Sequence, residues 1–312
     1  MQRRSRLAVI AAALLALGLE GSASSPPPDG LVSAFRWTMP DRNFGGFSGL
    51  EVSDDGMRFV TLGDQGVFVQ GQIVRDAQGA ITGIKAGKAT FLKTTNGPRF
   101  YDEQSDSEGL ALAPDGSFYV SFEGEARVLR YPAIEDNAQT LSTPRAFAAF
   151  PLNAALEALA VDASGALFTF PEELAGSRRL RIFAGQPGNP TGPDFPVWRY
   201  AKGVWTQPFT LRRDGSFLPV GADFGPDGRL YVLERAFRGI AGFASRVRSF
   251  RVAARGLLDE KTHLTTSSGL FDNLEGLSVW RDARGDIRLT MISDDNFMPF
   301  QRTEIVEYRL RD

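Results

Sequence analysis

Nine carboxylates stand at the ends of short apolar runs: Asp64, Glu108, Glu123, Glu157, Glu172, Glu234, Glu275, Asp294 and Asp295. Oxygen donors in such number suit a hard cation, and Ca²⁺ takes six to eight oxygens in flexible geometry. The same side chains can act as proton acceptors. Glu108, Glu275 and Asp294 are the candidates for that role. Asn273 and Asn296 lie beside the last acidic runs, and Arg235 and Arg302 supply positive charge nearby, so these four are candidates for substrate binding. Other chemistries are excluded by composition. The chain has no cysteine and a single histidine, His263, which removes thiolate nucleophiles, disulfides and multi-histidine zinc sites. Gly45-Gly46-Phe47-Ser48-Gly49 does not fit the Gly-x-Ser-x-Gly elbow, and no Walker loop or dinucleotide fingerprint occurs. His263 falls in the polar stretch Lys261 to Ser268, which reads as a surface loop.

The elements that must position these groups repeat along the chain. Each copy has a small or acidic residue, an apolar run, a turn, a second apolar run and a closing acid. The copies begin at Ser48-Gly49-Leu50, Glu108-Gly109-Leu110, Glu157-Ala158-Leu159, Gly221-Ala222-Asp223 and Glu275-Gly276-Leu277. Their closing acids are Asp64, Glu123, Glu172, Glu234 and Asp294. Runs of Val, Leu, Phe and Tyr around Asp55-Gly56, Asp115-Gly116, Ser164-Gly165, Asp227-Gly228 and a longer turn near Gly285 predict β-hairpins. Third strands are expected at Ala126 to Tyr131, Arg178 to Phe183, Arg246 to Val252 and Glu304 to Leu310. The turns recur roughly every 50 to 60 residues, which fits four-stranded propeller blades. The expected fold is an all-β propeller of five or six blades. The sixth would lie around Trp198 to Gly215, and Leu31 to Met39 would close the ring against the last blade. Propeller symmetry brings the open ends of all inner hairpins to one end of the channel. With two-residue turns, Glu108 would face Glu123, and Glu157 would face Glu172. Like charges opposed in this way call for a cation or an arginine between them. Arg127, Arg235 and Arg302 are the arginines within reach in sequence.

The 312-residue chain is 43% hydrophobic and 23% charged, with a formal net charge of -2, so a nucleic-acid partner is not expected. Arg3, Arg4 and Arg6 precede the apolar stretch Leu7 to Leu19 and the small residues Gly21-Ser22-Ala23, which reads as a secretory signal peptide over residues 1–23. Residues 24–30, with Pro26-Pro27-Pro28, read as a flexible lead-in to a domain over 31–312. The expected location is periplasmic or extracellular, with no membrane contact after cleavage.

Phe44-Gly45-Gly46-Phe47-Ser48-Gly49-Leu50, Ser107-Glu108-Gly109-Leu110, Leu156-Glu157-Ala158-Leu159, Leu233-Glu234-Arg235, Asp272-Asn273-Leu274-Glu275-Gly276-Leu277 and Ser293-Asp294-Asp295-Asn296-Phe297 together resemble the phytase-like family, whose members carry the label "esterase-like activity of phytase". The resemblance implies a β-propeller related to secreted phytases that use calcium to bind and cleave phosphate esters. It also implies basic residues beside the calcium, a role open here to Arg235 and Arg302. Three functions follow as expectations. One is calcium-assisted hydrolysis of an anionic small-molecule phosphate or carboxylic ester. The second is a non-catalytic ligand- or protein-binding propeller. The third is a metal-dependent lactonase.

Overall fold

The computed structural model describes residues 27–151, 154–173 and 192–311. The repeated hairpins grow into five antiparallel sheets, the blades of an all-β propeller. The inner strands of the blades are Phe47–Val52, Ser107–Leu112, Leu156–Val161, Leu218–Phe224 and Asn273–Arg281. The second strands are Arg58–Gly63, Phe118–Phe122, Leu167–Pro171, Leu230–Phe237 and Ile287–Asp294. Third strands are Val67–Arg75, Arg127–Tyr131, Phe195–Ala201, Phe243–Ala253 and Glu304–Leu310. The outermost strand of the fifth blade is the N-terminal Leu31–Arg36, which pairs antiparallel with Glu304–Leu310. The ring is therefore closed by the first strand among the described residues, as the sequence predicts. Gly30 extends that closure, because its carbonyl accepts the Arg309 N–H at 2.8 Å.

The segment expected as a sixth blade belongs to the third. Phe195–Ala201 and Val204–Leu211 pair with each other and complete the sheet begun by Leu156–Val161 and Leu167–Pro171. The third strand expected at Arg178 to Phe183 lies outside the described residues. His263 is not in a loop. It sits on the outer strand Gly256–Thr265, stacked on Tyr231, with its Nε2 2.7 Å from the buried Ser249 hydroxyl.

Inner strands are buried on both faces because each packs between neighbouring blades. Five apolar clusters fill the gaps between successive blades. Leu274, Leu277 and Met291 of the fifth blade, for example, pack with Val220, Leu233 and Val247 of the fourth. Small residues let the inner strands meet around the axis. A Cβ on Gly109 would come within 2.6 Å of Leu159 Cβ, and one on Gly276 within 3.0 Å of the Gly49 carbonyl carbon.

Two departures from a regular hairpin decide where the acids go. First, the turn is a three-residue loop. Ala113 N–H donates to Ser117 O at 2.8 Å, Gly116 N–H donates to Ala113 O at 2.9 Å, and Gly116 has φ +83°. The same pattern joins Asp162 to Ala166, Gly225 to Arg229 and Asp282 to Asp286. Second, every inner strand is bulged at the same place, with register breaks at Phe47/Gly49, Ser107/Leu110, Leu156/Ala158, Pro219/Gly221 and Leu274/Gly276. The expected face-to-face pairs are therefore not formed. Ser107 pairs with Phe122 and Leu156 with Pro171, which leaves Glu108 and Glu157 in the bulges.

Candidate cation site at the channel mouth

The five bulges place Ser48, Glu108, Glu157, Val220 and Glu275 at equivalent positions, all buried. A bulge re-aims one side chain and is a common device beside active sites. A second set of equivalent positions follows from the registers Phe47↔Gly63, Ser107↔Phe122, Leu156↔Pro171, Pro219↔Glu234 and Leu274↔Ser293. The next residue in each blade is Asp64, Glu123, Glu172, Arg235 and Asp294. In the fourth blade, then, the rim residue is Arg235 and not Glu234.

Glu234 points the other way, into the blade interior. Its carboxylate receives Arg246 Nε at 2.8 Å, Arg248 Nε at 2.8 Å and Arg248 Nη2 at 2.6 Å, and it is fully buried. Its assignment to the metal set is corrected on that ground. One residue of parity along a strand separates the two faces.

Three carboxylates of the second blade converge. Oxygens of Asp106, Glu108 and Glu123 all lie within 4.8 Å of one another. Asp106 escaped the sequence reading, although it precedes Glu108 by two residues, a spacing that returns to one face of a strand. It is held by a bridge to Gln65 of the first blade, and its carbonyl accepts the Glu123 N–H at 2.9 Å. Glu123 also meets the carboxyl of Glu157 from the third blade. Glu123 Oε2 and Asp64 Oδ1 are buried with no hydrogen-bond partner.

On the other side of the mouth, Arg235 reaches across to two blades. It donates from Nε and Nη2 to Glu172 Oε1 at 3.3 and 3.1 Å, from Nη1 to Asn273 Oδ1 at 2.8 Å, and to Glu275 Oε1. Asn273 Nδ2 bridges Glu275 Oε1 at 2.7 Å and Asp294 Oδ2 at 3.3 Å. The remaining candidates serve the scaffold. Asp295 Oδ1 accepts Gly46 N–H at 3.0 Å, and its Oδ2 accepts the Thr303 hydroxyl at 3.0 Å. Arg302 pairs with Glu304, and its N–H donates to Asp272 Oδ2 at 2.9 Å. Asn296 is exposed at φ +48°, with its N–H on Asp294 Oδ1. Arg127 bonds to the Gln104 and Glu125 carbonyls and lies over the Phe122 ring, away from the acids.

The electrostatics record an excess of buried negative charge. Burial first, then Glu157, Glu123, Glu275 and Asp106, hold the Glu108 carboxyl well above its usual range. Burial and then Glu123 and Glu172 do the same to Glu157. Burial raises Asp106 too. Burial and then Asp106 push Glu123 to about 8, and burial with Asp294 pushes Asp64 to about 8. Glu275 rises to about 8 by burial, against the pull of Arg235. Asp294 rises to about 6, again mainly by burial.

Residues 42–297 match the family described as phytase-like, esterase-like activity of phytase, and the chain belongs to that family. Comparison with the curated proteins gives no match. Among solved structures, the α-L-arabinofuranosidase PaAbf62A from Podospora anserina in complex with cellotriose is similar at a TM-score of 0.52 and 12% identity, covering 89% of this chain and 95% of that one. The PQQ-bound aldose sugar dehydrogenase from Streptomyces coelicolor gives 0.44 and 13%, covering 91% and 100%. A putative gluconolactonase gives 0.41 and 14%, covering 91% and 96%.

Proposed function

We propose that this is an exported, calcium-dependent hydrolase of phosphate or carboxylic esters whose site is the acidic mouth of the propeller. The observation that carries the reading is the convergence of Asp106, Glu108 and Glu123, with one Glu123 oxygen buried and unpartnered. The donor set is all oxygen, and among the described residues no lysine or arginine pairs with it, which is the chemistry of a calcium site. Asp106, Glu108 and Glu123 would hold the ion, and Glu157 stands next to them. When bound, the ion supplies Lewis-acid polarisation of an ester oxygen and activation of water.

The chain's own groups do the rest. Arg235 binds and orients an anionic substrate group, since its guanidinium is the one basic residue among the ten bulge and rim positions. Asn273 fixes Arg235, Glu275 and Asp294 in register. Glu275, at the centre of that set, accepts the proton from the attacking water and returns it to the leaving alcohol as the ester bond breaks.

The test is a calcium titration followed by calorimetry and melting temperature, then assays with aryl phosphates, aryl carboxylates and lactones. Calcium should raise the melting temperature and support turnover of an ester, and Glu108→Gln should remove both effects. Absence of any shift with calcium, magnesium or manganese overturns the reading. Calcium binding with turnover of lactones alone would replace ester with lactone chemistry, and calcium binding without turnover would leave a binding propeller.

A further inference from the structure

We propose that the ligand of this site carries an apolar arm, an acyl chain or aryl group of several carbons, and that the Asp295–Thr303 loop of the fifth blade is the surface on which that arm docks. The inference rests on the ester reading for its headgroup and adds the substrate class. Three large apolar side chains stand in solvent within four residues: Phe297 is 41% exposed, Met298 48% and Phe300 79%. Scattered apolar side chains are normal on any surface, whereas a cluster of this kind marks a contact site.

The loop is built to hold them there. Asp294 Oδ1 accepts Asn296 N–H at 2.6 Å, Asp295 Oδ1 accepts Phe297 N–H at 3.1 Å, and Met298 N–H donates to Asp295 O at 2.8 Å. Gln301 Nε2 donates to Asp272 Oδ1 at 2.9 Å. Asn296 and Phe297 are both left-handed, at φ +48° and +50°. That is an unfavourable conformation for a bulky aromatic residue, and it is sustained by these bonds. A surface fixed in advance loses little freedom when a flexible arm settles on it.

The occupant is set by what the loop touches. Phe297 Cε2 and Asp64 Oδ1 converge on Gly46: a Cβ there would come within 2.6 Å of the ring carbon and 2.5 Å of the carboxylate oxygen. The ring edge and the Asp64 carboxylate therefore flank the same glycine at the rim of the acidic mouth. A ligand whose polar head lies among the acids has its next carbons against Phe297 and the following ones against Met298 and Phe300. Only a molecule with both parts uses both surfaces at once.

The experiment measures binding of alkyl phosphonates, from methyl to octyl, to the full chain in calcium, beside the KM of p-nitrophenyl esters of the same lengths. Affinity should rise roughly two- to four-fold per methylene over the first several carbons. Phe300→Ser and Phe297→Ser should flatten that dependence while the calcium-induced rise in melting temperature stays, which shows that the variants fold. Rising phosphonate affinity without turnover of any ester supports the docking arm and sinks the hydrolase reading alone. Affinity independent of chain length overturns the proposal, as does an undiminished dependence in both variants. Sedimentation with phosphatidylglycerol vesicles, or concentration-dependent dimerisation, abolished by Phe300→Ser would also overturn it, by giving the loop to a membrane or to a second copy.

Discussion

Glu108, on the inner strand of its blade, and Glu234, on the second strand of its own, are both buried carboxylates, and their surroundings are opposite. Glu234 receives three guanidinium hydrogen bonds from Arg246 and Arg248. Glu307 is treated alike: Arg75 donates to it at 2.7 and 2.8 Å, Arg288 pairs with it, and the Thr290 hydroxyl donates at 2.9 Å. Glu108 instead faces Glu157, Glu123, Glu275 and Asp106. The far end of the channel carries raised acids too: burial, then Asp223 and Asp54, hold Glu51 well above its usual range, and burial pushes Asp223 to about 7. Glu51 accepts Leu112 N–H at 2.8 Å and Asp223 accepts Val279 N–H at 2.7 Å, each from the neighbouring blade. The fold can satisfy buried acids where they serve the scaffold. At the mouth, among the described residues, one arginine, Arg235, pairs with the acids, and the proposed site rests on the convergence of carboxylates beside it.

Breaking a matched acid gives the largest effect. Glu234→Gln leaves Arg246 and Arg248 buried without their partner, and should cost about 3–5 kcal/mol of stability. Urea unfolding measures it. The loss should appear with and without calcium, because this acid is not part of the mouth. Glu108→Gln should behave in the opposite way. Without calcium it removes a repelling charge and should not destabilise, but it should abolish the stabilisation by calcium. In the unaltered chain, that stabilisation should reach about 2.7 kcal/mol at a hundred times the dissociation constant. A Glu108→Gln chain that still gains this stability would place the ion elsewhere.

Much of this contrast is written in the sequence. The hairpin repeat gave the propeller, the shared acidic end and the closing strand, because apolar runs and glycine turns encode them locally. Sequence alone allows five or six blades because Phe195–Ala201 and Val204–Leu211 carry no repeat signature, being outer strands that do not line the channel. Glu234 and Arg235 both read as site residues, and one residue of parity separates them: the three-residue loop and the bulge that follows put Arg235 on the rim and turn Glu234 into the blade. No composition signal marks the bulge itself beyond the small residue after it, Gly49, Gly109, Ala158, Gly221 or Gly276. Asp106 was missed because it lies before the apolar run, in a stretch that reads as loop.

Asp64, Glu123 and Glu275, each pushed to about 8, bind protons in the native state that the unfolded chain has released above pH 4 to 5. The native state then holds more protons, so stability falls as pH rises through that window and is fully present only below it. Without divalent cations, the chain should lose about 2 kcal/mol or more between pH 5 and 8, read as a fall in melting temperature at roughly 2–4 °C per kcal/mol. Calcium at pH 8 should reverse the loss. Glu123→Gln should flatten the slope, whereas Glu234→Gln should leave it unchanged. A cation-free melting temperature that rises from pH 5 to 8 would mean that the mouth acids are matched after all.

The smallest effect belongs to Arg302, which shares its sequence neighbourhood with the acidic run but not its function. Its side chain is paired with Glu304 and partly exposed, a setting in which an ion pair contributes little. Arg302→Ala should change stability by less than about 0.5 kcal/mol and leave both calcium binding and phosphonate affinity as they were. Arg235→Gln is the contrasting change: it frees Glu172 and Glu275 of the one cation that pairs with them among the described residues, and should strengthen calcium binding while weakening that of an anionic ligand. Calorimetry on the two variants side by side tests whether the mouth has one anion-binding arginine or two. Equal losses of phosphonate affinity in both would extend the site to the Arg302 side of the fifth blade. A loss confined to Arg235→Gln ties anion recognition to the rim position where four of the five blades carry an acid.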